Sequence, residues 1–157
     1  SYFLYIKQTL SHDLSDEPKD INTTKGRRTV ADLTSEERRV FRRKLKDIII
    51  KEFSYLAGSD ESIFYWAGTM SDLMELTHVA WLTGEIADSK GNPVSFRDLA
   101  FHVADVLSCH CPKNPYSLAE RCRMRKSVKR LPIMDRYLKL MVECGVKNPL
   151  SLDMKFK

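Results

Sequence analysis

The sequence lacks a positively charged n-region followed by a long apolar h-region, and it lacks any run that could cross a bilayer. Its longest purely aliphatic run is Ile48-Ile49-Ile50, far short of the roughly 20 apolar residues a spanning helix needs. These absences predict a cytoplasmic protein that does not enter the membrane. Also missing are HExxH, GxSxG, Walker and GxGxxG patterns. No enzyme, cofactor or small-molecule substrate is therefore expected. There is no internal repeat and no low-complexity tract. The chain opens at Ser1 rather than at methionine, as would an excised fragment or a chain that keeps a residue left over from its preparation.

Paired cysteine clusters are absent too. The four cysteines are Cys109, Cys111, Cys122 and Cys144. Without a secretory signal they read as reduced thiols. Cys109-His110-Cys111 with Cys122 offers four metal-binding side chains, but structural zinc sites draw on two paired clusters such as CxxC units. Adjacent side chains also point apart. Ordinary buried or half-exposed thiols are the better reading, and no metal is expected.

What the chain does have is length and apolar content. Its 157 residues suit one domain, or one domain with an appendage. A chain of this size buries roughly two-thirds of its unfolded surface, so it needs neither disulfides nor metal to fold. A hydrophobic fraction of 43% is ordinary for a globular protein and argues against general disorder.

Charge is unevenly spread. Residues 1–57 hold 12 Lys/Arg against 9 Asp/Glu, residues 58–107 hold 2 against 8, and residues 108–157 hold 12 against 4. An acidic middle followed by a basic end can orient a protein on a polyanion.

The pattern of apolar residues predicts an all-α fold with a helix-turn-helix or winged-helix-like C-terminal part. Residues 1–57 form an N-terminal helical region whose segment 11–33, rich in Ser, Asp, Thr, Lys and Gly, reads as a linker or long loop. Residues 58–157 form the second domain. Thr34-Ser35-Glu36-Glu37 is a capping box. It opens a long helix with Val40, Phe41, Leu45, Ile48, Ile49, Phe53 and Leu56 on one face. Arg38, Arg39, Arg42, Arg43, Lys44 and Lys46 occupy the other face, and Gly58 ends the helix. Ser71 can cap a helix running to Gly84. Residues 88–93 form a turn, the tip of a small β-hairpin over 85–94. Ser95 caps a helix with Asp98 in the box position. Asn114-Pro115 opens a helix reaching 131, since Pro suits the first helical position. Pro132 starts a last helix closed by Gly145.

Among individual side chains, Glu75 and His78 are one helical turn apart and could form an acid/base pair, but a surface or core histidine is the commoner reading, and His102 is judged alike. Phe64-Tyr65-Trp66 and Tyr116 could stack on exposed bases, though such residues more often pack in a core.

The helix 115–131 stands apart. It carries Arg121, Arg123, Arg125, Lys126, Lys129 and Arg130, opposed only by Glu120. On a helix Arg121, Arg125 and Lys129 align in one stripe, leaving Leu118, Cys122 and Val128 to face the body. A solvated basic face is the plain alternative. Crowded cations repel one another, however, and a phosphate backbone relieves that repulsion and releases counterions. A short capped helix, a turn and then a basic helix is the order a helix-turn-helix requires.

Phe64-Tyr65-Trp66-Ala67-Gly68-Thr69, followed by Leu73 and Glu75-Leu76, resembles the Trp-x-Gly-Ser/Thr entry and Glu-Leu helix of RteC-type regulators, which are encoded on conjugative transposons of Bacteroides and related bacteria. Arg121 to Met141 resembles that family's closing basic segment and amphipathic helix. The likeness covers roughly residues 63–142. It implies a winged-helix-like DNA-binding domain and a role in activating transcription of excision or transfer genes. Members carry a fuller N-terminal domain than residues 1–57, as fits a truncated or divergent relative. Duplex DNA is then the expected partner, contacted by Arg121, Arg125 and Lys129 and flanked by Arg123, Lys126 and Arg130. The helix 34–57 would support that contact or join two copies as a homodimer. The alternative is a non-enzymatic protein-interaction module of a mobile element, whose acidic segment 58–107 pairs with a basic one and which has no nucleic-acid role.

Overall fold

The computed structural model describes residues 28–88, 90–124 and 131–157, with Arg123 described by its backbone alone. Helix α1 spans Ser35–Ala57. Its start is the predicted capping box. The Glu37 N–H donates to Thr34 Oγ1 at 3.1 Å, and the Thr34 N–H donates back to Glu37 Oε1 at 3.2 Å. The Arg28 guanidinium donates to both Glu37 oxygens, at 2.7 and 2.9 Å. These charge-assisted bonds, with the Thr34 amide second, hold the Glu37 carboxyl down at about 2. The C-terminal half of α1 buries Leu45, Ile49, Phe53 and Leu56 at the spacing of one helical face. Gly58 is the C-cap, as expected, with φ −90°.

Helix α2, Met70–Leu82, is the centre of the fold. It packs against α1 and against the three helices that follow it, α3 (Phe96–Val106), α4 (Pro115–Arg123) and α5 (Ile133–Glu143). A helix with neighbours on most sides must be apolar around much of its circumference. Leu73, Met74, Leu76, Thr77, His78 and Ala80 are all buried. The Thr77 hydroxyl is accommodated by donating to the Leu73 carbonyl at 2.7 Å. The N-cap is Thr69, whose hydroxyl accepts from the Asp72 N–H at 3.1 Å, and not Ser71. The segment before it is tightly organised. The Trp66 indole N–H donates to the Thr69 carbonyl at 2.7 Å. Gly68 lies under the same ring, where an added Cβ would stand 2.9 Å from Trp66 Cζ2. The Trp-Ala-Gly-Thr sequence is thus a local device that seats the ring and starts the helix.

Ser95 caps α3 as expected, accepting from the Asp98 N–H at 3.1 Å. Asn114 caps α4, with Pro115 at its first turn. Helix α5 follows Pro132 and ends at Cys144, where Gly145 takes a positive φ of 66°. It buries Ile133, Tyr137, Leu138 and Met141.

The β-structure differs from expectation. Among the described residues of 85–94 there is one bridge, Ala87 to Pro93, instead of paired strands. The Asp88 carboxylate accepts from the Lys90 and Asn92 amides at 2.8 and 2.9 Å, which satisfies the turn locally. The sheet lies elsewhere. Strand β1, Phe64–Trp66, pairs antiparallel with β2, Met154–Phe156, in the register Phe64 to Phe156 and Trp66 to Met154. Phe64 and Trp66 face inward and Tyr65 outward. The aromatic run is therefore mostly core. The architecture is mostly helical with a small two-stranded antiparallel sheet. One hydrophobic cluster joins Leu45, Ile49, Phe53 and Leu56 of α1 to Leu73, Leu76, Leu99, Val103, Ile133 and Tyr137. No helix among the described residues is long and apolar enough to cross a membrane.

Candidate nucleic-acid interface

Helix α4 is positioned by its inner face. Pro115, Ala119 and Cys122 are buried and Leu118 packs against the core. Small residues at 119 and 122 let the helix lie close on α2 and α3. At its start, Tyr116 enters an aromatic cluster. The His78 ring lies 5.4 Å from Phe96 and 5.8 Å from Tyr116, both edge-on, and 5.7 Å from Trp81. Phe96 and Tyr116 are themselves 5.8 Å apart. Edge-to-face pairs of this kind favour fixed ring geometry, so the cluster locks α2, α3 and the first turn of α4 together. His78 accordingly sits in an aromatic core setting. Glu75 accepts from the Ile133 N–H at the start of α5, at 3.4 Å. His102 bonds the Ser59 carbonyl through Nε2 at 2.8 Å.

With Ala119 and Cys122 turned inward, Arg121 stands exposed on the opposite side of α4. No described acidic group pairs with it. The described helix ends at Arg123, with Met124 as C-cap, short of the expected end near 131. Arg125, Lys126, Lys129 and Arg130 lie outside the described residues, as does Val128. The structure therefore places one of the six expected contact residues by its side chain, Arg121, and a second, Arg123, by its backbone.

The connection from α3 to α4 covers residues 107–114, wider than the three- or four-residue turn of a compact helix-turn-helix. It begins with buried Leu107 and exposed Ser108, the latter with a φ of +58°. Cys109 is half-buried, His110 exposed and Cys111 buried. Burial pushes the Cys109 thiol up to about 11, with neighbouring Cys111 adding to the shift. Among the described residues no three His, Cys, Asp or Glu side chains converge as metal ligands.

A second exposed basic surface runs along α1. Arg39, Arg42, Arg43, Lys44 and Lys46 are exposed and Arg38 is half-buried. The sequence marks this face plainly by its charge, although its pattern alone assigns it no ligand. Compared with models of known families, with curated proteins and with solved structures, the chain matches none.

Proposed function

We propose that the chain is a DNA-binding transcriptional regulator of a mobile genetic element, of the RteC type, in which the segment beginning on α4 contacts duplex DNA. The observation that supports this most is the density of positive charge there. Residues 121–130 hold six Lys/Arg and no acid, and they begin on a helix whose inner face is spent on packing and whose outer face exposes Arg121. Phosphate contacts would fix the protein on the duplex, and base contacts would add sequence preference. Arg121, Arg125 and Lys129 serve as the main contacts in this reading, with Arg123, Lys126 and Arg130 beside them. Control of excision or transfer genes follows from the family likeness.

The test is a duplex titration at two salt concentrations. Log affinity should fall by roughly 0.9 per phosphate contact for each tenfold rise in salt. The double variant Arg125→Ala/Lys129→Ala should weaken binding while leaving thermal stability nearly unchanged. Absence of binding to any duplex at low salt, including duplexes from the element's own promoters, removes the proposal. Unchanged affinity in the double variant removes this segment from the interface.

A further inference from the structure

We infer that the exposed face of α1 is a second, sequence-independent contact for the phosphate backbone of duplex DNA, separate from α4. The inference deepens the DNA-binding reading but has its own test.

The face is one helical stripe. Arg38, Arg42 and Lys46 are spaced by four, with Arg39 and Arg43 beside them, and together they line a shallow groove whose only acidic member among the described residues is Asp47. At 1.5 Å per residue, Arg38 to Lys46 covers about 12 Å along the helix axis. B-DNA carries one phosphate per about 3.4 Å of axis on each strand, so the stripe matches the reach of roughly three phosphates.

Among the described residues the fold makes little use of these charges. Arg42, Arg43 and Lys46 make no hydrogen bond or ion pair among the described residues. Arg39 has a loose, exposed approach to Glu36 at 3.9 Å. Arg38 only grazes the Ala31 carbonyl at 3.5 Å, and its buried Nε has no hydrogen-bond partner among the described residues.

The arrangement works against the helix itself. Arg38/Arg42, Arg39/Arg43 and Arg42/Lys46 are like-charge pairs at i,i+4, which weaken a helix. Arg38 also closes the first turn of the helix, where the dipole is already positive and favours anions. A cationic stripe that adds to the positive end of the dipole is unfavourable for an isolated helix and favourable for one that meets a polyanion. Helix α1 packs on α2, α3 and α5, whereas α4 packs on α2 and α3. The two basic surfaces are thus carried by separate helices on a common core.

The experiment uses the full chain and a random-sequence duplex. In the triple variant Arg42→Ala/Arg43→Ala/Lys46→Ala the slope of log affinity against log salt should flatten by about 2 to 3, and affinity at 50 mM salt should drop at least about tenfold. The charge-preserving variant Arg42→Lys/Arg43→Lys should keep most of the slope. The thermal midpoint of the triple variant should stay level or rise, because like-charge pairs have been removed. An unchanged slope in the triple variant, or no binding of the unsubstituted chain to random duplex, overturns the inference. Loss in the triple variant with no effect of Arg125→Ala/Lys129→Ala supports α1 as the contact and sinks the α4 reading instead.

Discussion

Arg136 Nη2 lies 2.7 Å from Asp72 Oδ2, tying the first turn of α5 to the first turn of α2 across 64 residues of sequence. The Asp72 side chain is only 9% exposed and that of Arg136 28%. Removing one member of such a pair leaves a charge in a poor solvent, whereas removing both need not. Arg136→Ala should therefore lower unfolding free energy by about 2 kcal/mol, below the range for fully buried pairs because Arg136 keeps some solvent. The double variant Arg136→Met/Asp72→Asn should lose less than the sum of its singles. Urea unfolding of the four chains measures the coupling, and strict additivity would show that the contact contributes nothing specific.

Tyr137 supplies a pH handle at the other extreme. Its hydroxyl donates to Asp153 at 2.5 Å from a nearly fully buried ring. Burial first, and the hydrogen bond to Asp153 second, push its ionisation well above the ordinary tyrosine range. A folded-state value raised in this way stabilises the fold below the unfolded value near 10, and that stabilisation is lost as pH climbs further. Ultraviolet titration of the phenolate should show one tyrosine that ionises only with unfolding. Tyr137→Phe should remove that delayed step.

At low pH the relevant group is Glu37. Its carboxyl is held to about 2 by Arg28 and the Thr34 amide. A depressed value contributes stability above the unfolded value near 4.3, lost as pH falls toward 2. The site is exposed, so salt should screen the ionic part. Carboxyl chemical shifts should give a Glu37 midpoint near 2 that moves upward in Arg28→Ala. A midpoint that stays near 2 would assign the shift to the capping amide alone.

Thiol labelling should separate the cysteines. Cys144 is exposed, Cys111 and Cys122 are buried, and Cys109 is half-buried with its thiol raised to about 11. Alkylation proceeds through the thiolate. At pH 7.5 Cys144 should react first and Cys109 should lag by at least tenfold, as peptide mass mapping over time would reveal. Rapid labelling of Cys109 would contradict the burial described for the α3–α4 connection.

The helix starts were legible because each is written in three or four adjacent residues. Thr34 with Glu37 and Asn114-Pro115 act as read, and Ser95 caps its helix through the Asp98 N–H, without the return bond from the shorter Asp98 side chain that would complete a box. At α2 two hydroxyls compete, Thr69 and Ser71, and the indole bond from Trp66 to the Thr69 carbonyl helps settle which residue caps, a tertiary fact that no local pattern states. The sheet was hidden because each strand has three residues and its partner lies at the far end of the chain. The turn at 88–93 had the right chemistry but closes on a single bridge. On α4 the outward position of Arg121 was legible from the stripe it forms opposite Leu118 and Cys122, whereas the burial of Ala119 was not read from the pattern. The end of that helix was not legible either, since no Gly or Pro lies between Tyr116 and Pro132 to mark a stop. The cations of α1 were visible as a face, but without the dipole and packing arguments they read as ordinary solvation.

The pairing of β1 with β2 also sets an order of events during synthesis. A ribosome releases Phe64–Trp66 roughly ninety residues before Met154–Phe156. Until then Tyr65 lacks the strand partner that Lys155 supplies, and the Phe64 ring lacks the Phe156 ring that lies 4.7 Å from it in the finished fold. A translation pause inside α5 would prolong that state, so codon choice over residues 133–143 should influence how much of the product is recovered unaggregated.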